Sequence, residues 1–413
     1  MKISVLLPTR NRLFLLKYAV ESVRRQDYED WEIVVSDNDS TEDVGGYVNS
    51  LDDPRIRYFR TDRFLPVTDN WNNALSKSRG DYVVMLGDDD CLMRGYFRTV
   101  NRLVEENNQP DFAYTSAFLY AYPGVLPDHP EGFLRTYGYP AMFGSAREPF
   151  ILERGKALNL VRESMRFRLL FGYNMQYSLV SRTFIDRMAE KGPFFQSPFP
   201  DYYATNAMLL SADKVLVCPL PLVTIGISPR SFGYYYFNRK EEQGIEFLKN
   251  MHSGDTLRHL EKIILPGTGM NTFWLMAMEA VRTNYGKDLG LDVDYGRYRL
   301  LQIVNGYGEY IKNRNNQPLR EEAKKYFRIL RESMRPWEKL VYGIPLRIAH
   351  AALGIMPSTA TIGIRRSLLG LFGQYPEFES RKTQRTYANI LEVFENVDPF
   401  APSTSINFRP HER

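Results

Sequence analysis

Tyr82-Val83-Val84-Met85-Leu86 is an unbroken apolar run, and it halts at Gly87 before three consecutive aspartates, Asp88-Asp89-Asp90. A short run without polar alternation suits a strand covered on both faces, which requires a sheet with helices above and below it. The preceding residues supply both. Strand-like stretches at 3–7, 31–36 and 56–60 alternate with helix-like stretches at 13–26, 44–51 and 68–77. That βαβ rhythm predicts an α/β fold with a mostly parallel sheet flanked by helices. Each strand also closes on a polar cluster: Thr9-Arg10-Asn11-Arg12 after the first, Ser36-Asp37-Asn38-Asp39-Ser40-Thr41 after the second, and the aspartate triplet after the run at 81–86. Open α/β sheets bind ligands at the carboxyl ends of their strands, so three such clusters at one edge mark a candidate site.

Mixed α/β signals continue at 156–166, 175–181, 184–191, 202–210 and 215–218. Beyond Tyr234-Tyr235-Tyr236-Phe237 helical patterns dominate, at 242–251, 272–283, 298–312 and 319–331. The chain is therefore expected to change domain near 235, into an α/β domain over 1–235 and a mainly helical region over 236–413 that ends in a loose tail from Pro399.

With 413 residues, 44% hydrophobic and 25% charged, the chain has globular composition. A formal net charge of +4 is small for this size and gives no reason to expect a nucleic-acid partner. Cys91 and Cys218 form no CxxC or Cys/His cluster, which argues against a disulfide framework or structural zinc and for a reducing cytoplasm. The apolar N-terminus is cut short by Pro8 and carries one lysine, too little for a secretory signal. The run from Val215 to Ile227 is interrupted by Pro219 and Pro221, so nothing approaches the roughly 18–20 apolar residues of a membrane span. A cytoplasmic protein is expected, soluble or peripheral on the cytoplasmic face of the membrane. No GxGxxG or Walker loop occurs, which sets aside dinucleotide oxidoreductases and P-loop NTPases.

The ordered blocks Ser4-Val5-Leu6-Leu7-Pro8-Thr9-Arg10-Asn11-Arg12, Trp31 through Thr41, and Asn72 through Gly80-Asp81-Tyr82 to Asp90 resemble those of family 2 glycosyltransferases, which have the GT-A (Rossmann-like) fold. The resemblance is strong over the first 100 residues or so and fades in the helical part. It implies an inverting transfer of a sugar from a nucleotide-diphosphate donor, with Asp37 accepting a hydrogen bond from the base, Pro8 and Thr9 lining that base, and Asp90 as the direct metal ligand. The chemistry agrees: a diphosphate concentrates negative charge, and an oxygen-ligated Mn²⁺ or Mg²⁺ offsets it on the leaving group. If the strand continues past Leu86, Asp88 and Asp90 project to one side and Asp89 to the other, so that Asp88 and Asp90 share the metal or divide metal and sugar contacts. Arg10, Asn72 and Asp89 complete the expected donor set, and Arg230, in Ser228-Pro229-Arg230-Ser231, is placed at the diphosphate because arginine suits phosphate geometry. One departure stands out. Trp71 occupies the place before Asn72 where many family members carry arginine, which makes a uridine donor a preference rather than a deduction.

An acceptor hydroxyl needs a base, and Asp201, at the end of the loop from Gly192 to Pro200, is the candidate. The family often has an acidic pair there, and Pro200 replaces its first member. The alternative for Asp201 is a helix cap on 202–210. A saccharide or lipid-linked glycan is the expected acceptor, in cell-surface polysaccharide assembly. A non-catalytic nucleotide-sugar or glycan-binding protein on the same fold is the competing class, and a nucleotidyltransferase ranks behind it. Over 333–375, Arg335, Lys339, Arg347, Arg365 and Arg366 stand against one acid, Glu338, among apolar residues such as Trp337, Leu340 and Val341. That stretch either lies on an anionic membrane or packs as a helical core.

Overall fold

The computed structural model describes residues 1–126, 129–229, 260–266, 270–312, 317–343, 379–382 and 386–401. The chain divides into two compact units. One comprises Met1–Val161, Leu170–Met251 and Glu377–Arg413, the other Arg162–Leu169 and His252–Pro376. The expected boundary at 235 lies outside the described residues. Among the described residues the region beyond it is mainly helical, and the chain returns to the first unit at its end.

The first unit opens as predicted. Strand β1 (Ile3–Thr9), helix α1 (Leu13–Arg24), β2 (Trp31–Asp37), α2 (Val44–Ser50), β3 (Ile56–Arg60), α3 (Val67–Lys77) and β4 (Tyr82–Met85) follow in order. β1 lies between β2 and β4, parallel to both, with Leu6 opposite Val34 on one side and Met85 on the other. Every residue of β2 is buried, as a strand covered on both faces must be. Beyond β4 the sheet becomes mixed. A short β5 (Cys91–Leu92) and helix α4 (Tyr96–Glu106) lead to β6 (Phe112–Ala121) and β7 (Phe133–Gly138). After α5 (Pro140–Phe143), β8 (Phe150–Ile151) and α6 (Arg154–Met165) comes β9 (Ser178–Ser181), which inserts antiparallel between β4 and β6. Helices α7 (Arg182–Met188) and α8 (Pro200–Ser211) precede β10 (Val215–Ile227).

β10 extends nine residues past the expected end at 218 and runs parallel to β6 throughout, despite its two prolines. The pairing slips at Cys218/Pro221 and again at Pro221/Val223. These irregularities absorb residues that lack an N–H for the ladder, so the strand bends instead of ending.

The returning segment adds β11 (Glu379–Lys382) antiparallel to β7 and then helix α12 (Ile390–Asn396). Ile390, Val393 and Phe394 join Leu15, Cys91, Phe118 and Leu134 in one buried cluster, and Tyr120 donates its hydroxyl to the Tyr387 carbonyl at 2.8 Å. Hydrophobic burial thus ties the last described residues to the first helix.

In the second unit, α9 (Met270–Val281), α10 (Tyr295–Lys312) and α11 (Gln317–Ser333) begin two or three residues before their predicted starts. Leu265, Ile303, Tyr307, Leu330 and Met334 form an apolar core there. Arg299 and Glu338, both almost fully buried, meet beside it in a two-pronged ion pair of 2.6 and 2.7 Å. Arg299 also donates to the Ile263 carbonyl at 2.8 Å, so its charge is well satisfied. Burial alone raises the Glu338 carboxyl, but the bonds from Arg299 and the Arg335 amide bring it below its ordinary range. Among the described residues no helix is long and apolar enough to cross a membrane.

Removing one partner of a buried pair strands the other. Glu338→Ala is expected to cost about 3–5 kcal/mol in urea unfolding followed by helical circular dichroism. Joint replacement, Arg299→Met with Glu338→Leu, should recover most of that loss. Because the Glu338 carboxyl is depressed, its contribution is present above the ordinary carboxylate range and disappears as pH falls through its lowered value.

Candidate active site

Parallel pairing brings three chain ends to one edge. Thr9 is opposite Asp37 in register, the Asn38 amide donates to the Thr9 carbonyl at 2.9 Å, and the Leu86 amide donates to Leu6 at 2.9 Å. Past Leu86 the backbone does not continue as a strand: the Asp90 amide turns back onto the Gly87 carbonyl at 3.1 Å. The expected alternation of Asp88 and Asp90 against Asp89 therefore fails, since a turn has no two-residue period. Each aspartate takes different partners.

Asp88 accepts from the Thr9 hydroxyl at 2.7 Å and pairs with the Arg12 guanidinium at 2.9 Å. Asp89 accepts from the Ser228 hydroxyl at 2.7 Å. Asp90 accepts from the amides of Gly87 at 3.0 Å and Gly226 at 2.9 Å, and from the Gln176 side chain. All three residues are buried. Burial, opposed by Arg12 and reinforced by Asp88, pushes Asp89 up to about 6. Burial, and then the neighbouring Asp89, pushes Asp90 up to about 8 despite its three hydrogen bonds. Among the described residues, no basic side chain forms an ion pair with Asp89 or Asp90.

Two buried carboxylates whose charge is held back this strongly favour a cation. Among the described residues no group of three His, Cys, Asp or Glu side chains forms a ready-made metal cage. The donors are nonetheless all carboxyl oxygens, which fit a hard divalent ion that takes its remaining ligands from water and phosphate. Asp90 and Asp89 are the residues that fit. Asp88 is already committed to Arg12.

The other predicted residues scatter around this centre. Asp37 is fully buried; it accepts from the Ser40 amide at 3.1 Å and from the Tyr58 hydroxyl at 2.7 Å. Burial and the Asp37 bond raise Tyr58 to about 12, which keeps it a donor. Pro8 is half-buried beside Thr9, whereas Arg10 is exposed with its guanidinium 4.1 Å from the Phe64 ring centre. Arg230 lies outside the described residues. Asn72 faces the loop before α8: its amide donates to the Phe195 carbonyl at 2.9 Å and its oxygen accepts the Phe195 amide at 3.2 Å. Trp71 meets the Phe195 ring edge-on at 5.2 Å, and Thr68 donates to the Ser197 carbonyl at 2.6 Å. The tryptophan that departs from the family pattern thus braces the Asp201 loop.

Helix α8 begins at Pro200 with Phe199 as its N-cap, so Asp201 lies in the first turn and is not the cap. One Asp201 oxygen accepts the Tyr202 amide at 2.9 Å, and burial pushes the carboxyl up to about 7. Tyr202 packs on Tyr173 with ring centres 4.4 Å apart, and the Thr205 hydroxyl donates to the Tyr173 carbonyl at 2.8 Å. The stretch 173–176 therefore touches α8 at one end and reaches Asp90, through Gln176, at the other.

Gln176, Gly226 and Tyr58 were not foreseen. A glutamine ahead of a strand has no local signature. Gly226 carries one only in retrospect: a Cβ there would stand 2.0 Å from the Asp89 carbonyl oxygen.

Residues 4–148 match the family described as Glycosyl transferase family 2. This matched part of the chain holds β1 to β4 and the aspartate turn. Over 108 residues the chain is 40% identical to the GalNAc(5)-diNAcBac-PP-undecaprenol beta-1,3-glucosyltransferase of Campylobacter jejuni, covering 25% of this chain and 35% of the relative. Over 121 residues it is 38% identical to Escherichia coli WcaA, named for colanic acid biosynthesis, covering 29% of this chain and 41% of the relative. The matches thus span well under half of either relative. Among solved structures, Staphylococcus aureus TarS 1-349 aligns with 79% of this chain and 88% of its own, at 17% identity and a TM-score of 0.42.

Gly226→Ala tests the contact between β10 and the aspartate turn. The added methyl has only backbone to displace, so a loss of about 1–3 kcal/mol is expected in thermal or chemical unfolding. Nucleotide binding, measured by calorimetry at a temperature where the variant is folded, should weaken with it.

Proposed function

We propose that the first unit is an inverting, metal-dependent glycosyltransferase that moves a sugar from a nucleoside-diphosphate donor, with UDP-sugars preferred, to a hydroxyl of a saccharide or lipid-linked glycan in cell-surface polysaccharide assembly. The observation that carries this reading is the buried aspartate turn at the shared edge of β1, β2 and β4, where burial holds back the ionisation of Asp89 and Asp90 and a bound cation would favour it. Asp90, with Asp89 beside it, would hold Mn²⁺ or Mg²⁺, and the bound ion would offset the charge of the diphosphate. Similarity to a glucosyltransferase named for an undecaprenol-diphosphate-linked glycan supports the acceptor class.

The chain's own residues have separable tasks. Arg12 and Thr9 fix the Asp88 carboxylate and with it the turn. Asp37 and the Tyr58 donor shape the loop after β2 where the base would lie, and a carboxylate there offers an acceptor for an imide N–H. Asp201 takes the proton of the acceptor hydroxyl as its oxygen bonds to the anomeric carbon, while the bond from that carbon to the diphosphate oxygen breaks on the opposite side. A base at about 7 is matched to this task near neutrality.

Asp201→Asn preserves size but removes the proton acceptor. Transfer should fall by roughly 100-fold or more while donor binding, measured by calorimetry, is retained. A near-normal rate would place the base elsewhere. In the wild type kcat should drop below pH 7, where Asp201 becomes protonated. The stability effect has the opposite sense. A raised carboxyl contributes stability at low pH that is lost as pH rises through about 7, so Asp201→Asn should melt above wild type at pH 8, with the gap closing towards pH 4.

Asp90→Ala should abolish transfer and the cation-dependent part of UDP's thermal stabilisation, with the fold intact. Full turnover in EDTA would refute the metal role. Cation-dependent UDP binding with no transfer to any acceptor would favour a non-catalytic binding protein.

A further inference from the structure

Residues 336–343, just past α11 in the second unit, form a one-turn helix, Pro336–Glu338, that runs on into a π-type turn, Lys339–Gly343. Helical spacing places Trp337, Leu340 and Val341 on a common face. That face is the outer one: the three side chains are 46%, 65% and 53% exposed. The inner face carries the carboxylate. Glu338 is fully buried on Arg299 and accepts the Arg335 amide at 2.7 Å. A helix of a water-soluble domain normally buries its apolar side and exposes its carboxylates. Here the arrangement is inverted.

The inversion is structurally enforced. The two-pronged Arg299 contact holds Glu338 inward, and Trp337 is braced edge-on against Tyr342 at 5.6 Å. Along the adjoining stretch 328–339, Arg328, Arg331, Arg335 and Lys339 are exposed against one exposed acid, Glu332, and Ile329 adds a further exposed apolar side chain. Of the wider stretch expected to contact membrane, residues 344–375, with Arg347, Arg365 and Arg366, lie outside the described residues.

We propose that this turn is an interfacial anchor that docks the second unit on an anionic lipid surface. Trp337, Leu340 and Val341 enter the boundary between headgroups and acyl chains, where tryptophan is favoured, and Arg335 and Lys339 meet the headgroup phosphates. The charge selects lipid over a second copy of the chain. A two-fold contact through this patch would set the same cations against themselves, and protein interfaces are depleted in lysine. The anchor does not depend on the transfer reaction.

The test is flotation of the full chain with phosphatidylcholine vesicles, with and without phosphatidylglycerol, at low and high salt. Wild type should float with the anionic vesicles and be released by salt. Trp337→Ser with Leu340→Ser and Val341→Ser should abolish flotation with an unchanged melting temperature, since all three side chains are exposed. Arg335→Gln with Lys339→Gln should weaken partitioning about fivefold per charge, roughly 30-fold together. In wild type the tryptophan emission should shift to the blue on anionic vesicles, and Trp337→Phe should remove the shift. The proposal is overturned if wild type ignores anionic vesicles, or if the triple serine variant floats like wild type. It is also overturned if sedimentation shows a dimer that the triple variant dissolves.

Discussion

Strand β1 is the constraint on which the candidate site depends. It is hydrogen-bonded in parallel to β2 on one side and to β4 on the other, so three chain segments reach the same edge in fixed register. Thr9 and Asp37 become neighbours through that register, and the turn after Leu86 starts where β1 ends. Burial on both faces makes the register costly to slip, because a one-residue shift would exchange the side chains fitted under the two helical layers and undo the packing of both. The loops carry the chemistry, but the sheet decides where they begin.

Within that frame the three aspartates are chemically distinct although adjacent in sequence. Asp88 has a cation, Arg12, and is neutralised by it. Asp89 and Asp90 are buried without an ion pair of their own, and the hydrogen bonds to them, with the nearby Arg12 charge at Asp89, offset only part of the loss of water around a carboxylate. The remaining electrostatic tension is what supports the proposal of a divalent cation at Asp90 and Asp89. β10 closes this arrangement from the far side, through the Gly226 amide and the Ser228 hydroxyl.

The second unit uses the same principle with the opposite outcome. Its buried carboxylate, Glu338, has a full partner in Arg299, and the pair acts as a fixed post. A satisfied buried charge adds little net stability over an apolar pair of the same volume, but it specifies orientation. Here the specified orientation is the one that leaves Trp337 outside.

Local pattern determined a good deal by itself. The alternation from β1 to β4 was legible to within a residue or two, helices α9 to α11 to within three, and Asp88-Asp89-Asp90 at a strand end, because hydrophobic periodicity and strand-end polarity are properties of neighbouring residues. What required tertiary structure were the properties that depend on distant ones. The antiparallel insertion of β9, the passage of β10 through its two prolines, and the return of β11 and α12 to the first unit are set by pairing partners far along the chain. The partition of the aspartates among Arg12, Ser228 and Gln176 follows from a turn that sequence spacing read as strand. The outward face of Trp337, Leu340 and Val341 was equally hidden, since composition identifies an apolar stripe but only the buried Arg299–Glu338 pair decides which way it points.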